Sequence, residues 1–187
     1  MSKWKEAADY IDQCTQSIWL KEPDDVKLIR WGIIEGGAGT GNQYFTCMVL
    51  LETYTLMLGQ RLLYPFLMMS QSSEFSVEML KATTKALICS NFHPTEFLAD
   101  MGLHQMHEIG ERYFEALDTV ESKEEYTALT GAFCTYCNRM HRWIHSIFPW
   151  NIGLGAFPQR TLSEMSDIVR IANHRNESSD DRNEYAS

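Results

Sequence analysis

The sequence predicts an all-α fold, a bundle of five or six main helices, and three observations predict it. Apolar residues recur every three to four positions through most of the chain, the spacing that lines one face of a helix. No alternating apolar–polar run of useful length marks a strand, and no internal repeat is visible. Capping residues and Pro or Gly breaks punctuate the periodic runs.

The first run, Lys3 to Leu20, sets Trp4, Ala7, Ala8, Ile11, Cys14, Ile18 and Trp19 at helical intervals, an amphipathic helix. Glu22-Pro23-Asp24-Asp25 breaks it, and Asp24 or Asp25 has the chemistry to cap a short helix through Val26, Leu28 and Ile29. A glycine-rich loop follows. Thr40 or Asn42 is placed to cap a long central helix through the apolar run Phe45 to Met69, which Pro65 is expected to kink or stop. After Gln71-Ser72-Ser73, Ser73 is the expected cap of a helix carrying Val77, Leu80 and Ile88. Asn91 to Thr95 reads as a turn, with Thr95 capping a helix from Phe97 to Val120 that Gly102 is set to interrupt. The last long helix runs from Glu124 to about Phe148, where Ser122 and Glu125 have the spacing of a capping box. Phe148 to Pro158 forms an apolar closing loop, and a short helix from Leu162 to Ala172 completes a single domain, 1–172. The polar tail, 173–187, has too few apolar residues to order itself.

A chain of 187 residues that is 44% hydrophobic can bury one proper core. A net charge of −9 with no basic run argues against a nucleic-acid surface, because phosphate binding needs clustered cations. Glu52, Gln60, Arg61 and Pro65 interrupt the run Phe45 to Met69, so it reads as a buried helix rather than a membrane span. Five cysteines, an odd number inside mostly helical patterns, are expected as reduced thiols. With a polar, acidic start and no signal peptide, the expected location is the cytoplasm.

The densest motif is Arg30 to Phe45. Four of the chain's 11 glycines fall between Gly36 and Gly41. Glycine gives up chain entropy, so a cluster marks a sharp turn or a close approach of the backbone to something else. The helix that follows would aim unpaired N–H groups into the loop, where an anion fits. A plain connector between helices is the competing reading, but Trp31, Tyr44 and Phe45 are costly to leave in water, and Glu35 stands at the entrance. The loop lacks the Gly-Lys-Ser/Thr of a phosphate loop and the preceding strand of a dinucleotide site.

Cys134, Cys137, His141 and His145 superficially form a zinc signature. On a single helix at roughly 1.5 Å per residue, Cys134 and His145 stand about 16 Å apart, too far to share one tetrahedral ion. Only a pair four apart, such as His141 with His145, could chelate, with ligands from elsewhere completing the site; in preference the two read either as packing residues or as donors and bases for a ligand. His104, His107, Glu108 and Glu111 read as a solvated polar face, since no Glu stands three residues before any histidine as a di-iron bundle requires. Glu52, inside the apolar run, reads either as an acid or base or, in preference, as a structural partner of Arg61 or of an arginine on another helix. The ten methionines read as adaptable core filling.

Trp31-Gly32-x-x-Glu35-Gly36-Gly37-Ala38-Gly39-x-Gly41-x-Gln43-Tyr44-Phe45 resembles the start of the C-terminal helical-bundle domain of cucumopine synthase-like proteins. His141-x-Trp143-x-His145-x-x-Phe148-Pro149-Trp150 resembles its end, so the likeness runs from about Leu20 to Pro158. The resemblance implies a bundle that companions a cyclophilin-like barrel, with a site between them faced by the glycine loop. It also implies condensation of an amino acid with a 2-oxo acid, histidine with 2-oxoglutarate in the opine-forming members. Only a short helix precedes the motif here, so the barrel is expected on a separate polypeptide, unless the chain does something else. On that reading Glu35, His141 and His145 handle protons. Trp31, Gly36, Gly37, Gly39, Gly41, Gln43, Tyr44 and Trp150 bind a carboxylate substrate, and no metal or cofactor is called for. The alternative is a non-catalytic helical module that binds a ligand or a protein. On either reading an oligomer or heteromer is expected, from the many aromatic and methionine side chains.

Overall fold

The computed structural model describes residues 2–35, 51, 54–91, 99–100 and 102–147, which lie in one unit, Met1–Ile147. Among the described residues the elements are α1 (Lys3–Leu20), α2 (Asp24–Glu35), α3 (Thr55–Leu62), α4 (Leu63–Met69), α5 (Val77–Asn91), α6 (His104–Leu117) and α7 (Lys123–Ile147), with no strand. The fold is an all-α bundle. The closing loop, the short helix after it and the tail expected beyond Ile147 lie outside the described residues, as do Glu52, Thr95 and the glycine loop.

Its axis is α7, which touches each of the other described helices. The sequence explains why. Tyr126, Leu129, Thr130, Phe133, Tyr136, Cys137, Met140 and Ile144 are all buried, at three- and four-residue steps that keep one broad stripe facing inward. The helix expected to be central, the run ending at Met69, packs instead on one flank of this axis.

Against α7 lies α1, which buries Ala7, Ala8, Ile11, Thr15 and Ile18. Trp19, expected in that stripe, is 58% exposed. It stands at the stripe's margin, and the Arg139 guanidinium lies over its ring instead. Trp143 ties the same two helices by donating its indole N–H to the Ile18 carbonyl at 2.6 Å.

Thr55–Leu62 is coiled as a π-helix, with the Leu63 N–H bonded to the Leu58 carbonyl five residues back. Pro65 accounts for part of this. It has no N–H to close an α-turn onto Arg61, and its ring crowds that carbonyl, so the coil widens just before it. The helix does not stop there; it continues in α form through Pro65 to Met69. Gly59 lets α3 lie tight on α7, for a Cβ added there would sit 2.5 Å from the Cys137 Cβ.

Three caps position the remaining helices. Asp25 does not cap its own helix. It lies in the first turn of α2, and its buried carboxylate accepts from the Met106 N–H at 2.9 Å and the Gln105 N–H at 3.4 Å, closing the start of α6. Burial pushes its pKa up, and those two bonds pull it back part of the way. Ser76, rather than Ser73, caps α5 through the Met79 N–H. Ser122 caps α7 through the Glu125 N–H at 3.2 Å, while Glu125 reaches back to the Glu121 N–H at 2.8 Å. Gly102, at φ +81°, provides the expected break before α6, in the left-handed region that glycine tolerates.

Candidate functional site

The last turns of α7 read Asn138-Arg139-Met140-His141-Arg142-Trp143-Ile144-His145. Met140 and Ile144 are buried in the core. His141 meets α3, with its Nδ1 3.4 Å from the Thr55 Oγ1. One turn on, His145 packs edge-on against it, ring centroids 4.3 Å apart. The structure thus brings together the two histidines that the sequence singled out.

The Thr55 hydroxyl stands between the imidazole and the backbone of its own helix. The Thr55 hydroxyl has one proton, and it is directed at the Leu51 carbonyl at 2.9 Å. With its proton on that carbonyl, Thr55 can accept from an N–H at His141 Nδ1, the tautomer that keeps a basic lone pair on Nε2; the other tautomer carries its proton on Nε2. Burial, and then the neighbouring His145, hold the His141 pKa below the ordinary 6.5. A histidine so placed is neutral near pH 7 and accepts protons.

Beside this pair, Gly59, Tyr64, Asn138 and Arg142 line a cleft of about 380 Å³. The Asn138 Oδ1 is buried without a hydrogen-bond partner among the described residues. Gly59 supplies bare backbone, and Tyr64 supplies a half-exposed ring.

Other clusters close on themselves. Glu108 binds Arg112 through Nε at 3.1 Å and Nη2 at 2.9 Å, and Arg112 lies 4.0 Å over the Tyr10 ring. Burial and a hydrogen bond to Glu108 push the Tyr10 hydroxyl up to about 12. The face expected to be solvated is thus partly spent on α1, and the Nδ1 of His107 is buried within it. Cys134 and Cys137 belong to the core. Burial raises both thiols, Cys134 to about 12, so neither offers a thiolate near pH 7. Among the described residues no group of three or more His, Cys, Asp or Glu side chains is placed to hold a metal. No helix among them is long and apolar enough to cross a membrane.

Trp31 and Glu35 fall in the last turns of α2, with only their backbone described. Gly36, Gly37, Gly39, Gly41, Gln43, Tyr44 and Trp150 lie outside the described residues. Sequence reasoning missed Thr55, Gly59, Asn138 and Arg142. A lone glycine in an apolar helical run signals close packing, and Arg142 sits inside the histidine motif, so those two were findable. Thr55 was not, because its role depends on a contact 86 residues away.

Residues 4–147 match the cucumopine synthase C-terminal helical bundle domain. The chain belongs to that family. The match begins within α1, well before the Leu20 at which the motif resemblance starts, and ends with α7. Among solved structures, McbB in complex with tryptophan superposes with a TM-score of 0.68 at 28% identity, over 81% of this chain and 48% of McbB. This chain therefore spans about half the length of McbB. No protein of curated function matches it.

Proposed function

We propose that this cucumopine synthase-type bundle is the helical half of a small-molecule enzyme that condenses an amino acid with a 2-oxo acid or a related carboxylate. The observation that carries the reading is the family match over 4–147, which contains the paired His141 and His145. McbB, solved with tryptophan bound and about twice as long as the matched part, supports a substrate of this class and a second body as partner, cyclophilin-like on the resemblance read from the sequence.

Imine formation needs proton transfers and little else. The Nε2 lone pair of His141 takes a proton from the substrate ammonium, freeing the amine to attack the carbonyl. The same proton then returns to the hydroxyl that leaves as water. His145 and Glu35 serve the later transfers. The glycine loop, Gly36, Gly37, Gly39 and Gly41, offers backbone N–H groups to a carboxylate, and Gln43 adds a side-chain donor. Trp31, Tyr44 and Trp150 wall the site from water.

The test is to purify the chain with whatever accompanies it natively and assay consumption of amino acids and 2-oxo acids. His141→Gln should lower the rate by about 10²–10⁴-fold, the usual worth of general acid–base catalysis, with the helical content unchanged. A rate indifferent to His141→Gln, or a chain without condensing activity whose complexes depend on Trp150, would make it a binding module.

A further inference from the structure

From Tyr126 to Ile147 the chain has no acidic residue, yet the end of this stretch carries Arg139, His141, Arg142 and His145. In a protein of net charge −9 this is a local reversal of sign. The four groups are not equivalent. Arg139 is engaged over the Trp19 ring, and the histidines pack on each other. Arg142 is exposed, and among the described residues no carboxylate pairs with it. Asn138 lies one turn before it on the same cleft, and its side-chain amide makes no hydrogen bond to a described residue.

We infer that the cleft lined by Gly59, Tyr64, Asn138 and Arg142 is a carboxylate subsite, with the Arg142 guanidinium and the Asn138 amide as its two donors. Arginine presents paired N–H groups in a plane that matches a carboxylate, and charge-assisted bonds of this kind are about twice as strong as neutral ones. The Tyr64 ring provides a wall for the carbon chain of the ligand, and Gly59 lines the cleft on the α3 side. A volume of about 380 Å³ admits a small mono- or dicarboxylate.

The choice of ligand class rests on the condensation proposed above, whose two substrates carry at least two carboxylates, one more than the glycine loop alone accounts for. The rival explanation of Arg142 is compensation of the α7 dipole, whose C-terminus favours cations. That role affects stability and not binding.

The experiment is titration of the full chain with 2-oxoglutarate at low ionic strength, followed by calorimetry and by the side-chain amide resonances of Asn138. Binding is expected, with the Asn138 signals moving and the affinity falling as salt is added. Arg142→Gln should weaken it about tenfold or more, Arg142→Lys less, with the unfolding midpoint nearly unchanged. No binding at about 10 mM ligand, or equal affinity in Arg142→Gln, overturns the subsite. The two proposals fail separately. Arg142-dependent binding without condensation keeps the subsite and sinks the reaction. Condensation at full rate in Arg142→Gln, with the 2-oxo acid limiting, keeps the reaction and sinks the subsite.

Discussion

In the first turns of α7 each described hydroxyl has a partner. Tyr126 Oη meets the Thr84 hydroxyl at 2.7 Å, Thr130 meets the Tyr113 Oη at 3.1 Å, and Thr127 meets Ser70 at 2.9 Å. In the last turns Asn138 and Arg142 face a cleft without such partners, and His141 makes one long bond. The same helix is finished at one end and left open at the other. The Tyr136 Oη also lacks a partner among the described residues but is enclosed in the core, whereas Asn138 and Arg142 border a cleft, so that end is where binding chemistry is expected.

The largest effect that would sharpen this contrast comes from the finished end. Phe133 is 1% exposed and stacks on Tyr113 with centroids 4.3 Å apart. Phe133→Ala should cost about 3–5 kcal/mol in urea unfolding, a large share of the roughly 5–15 kcal/mol that holds a domain together. A loss below about 1 kcal/mol would show that this half of α7 is not the core.

A smaller effect is expected where the open half meets α3. Gly59→Ala gains about 1 kcal/mol of helix propensity, but its Cβ must displace the Cys137 Cβ from 2.5 Å. Cβ positions are set by backbone, so the clash wins and net destabilisation of about 1–2 kcal/mol follows. Gly131→Ala is the control. Nothing lies within 4 Å of its added Cβ, so only the propensity gain remains and that variant should be slightly more stable. Equal effects at the two glycines would remove the argument for close α3–α7 contact.

The smallest effect is a change of slope with pH. The native pKa of His141 lies below its ordinary 6.5, so the native state binds the proton less tightly than the unfolded chain does. Its contribution is complete above 6.5 and is lost as pH falls through the native pKa. Melting temperatures of His141→Gln should therefore decline less steeply below 6.5 than those of the parent chain. Parallel curves would mean that His141 is solvated like a free imidazole.

How much of this was legible in the sequence depends on the range of the interaction. α1 was placed to the residue and α7 to within one, because apolar period and capping chemistry are local signals. The pairing of His141 with His145 was legible for the same reason, a four-residue step on one helix. The cap supplied by Asp25 was visible only as a cap, and its recipient was misjudged, since the bond to Met106 spans 81 residues. The π-coil of α3 was reduced to an expected kink at Pro65, because apolar periodicity does not register one extra residue in a turn. Which helix forms the axis was not legible either, for several runs are equally apolar and only assembly ranks them.

The bond from Asp25 to the start of α6 also makes α2 a cantilever. Its first turn is clamped to a neighbouring helix, and its far end, Glu35, leads directly into Gly36. From Asp25 to Glu35 is about 15 Å at roughly 1.5 Å per residue, so a small tilt at the clamp becomes a larger displacement at the tip. The direction of the last turn of α2 is thus referred to α6, and through α6 to the same α7 that carries the histidines.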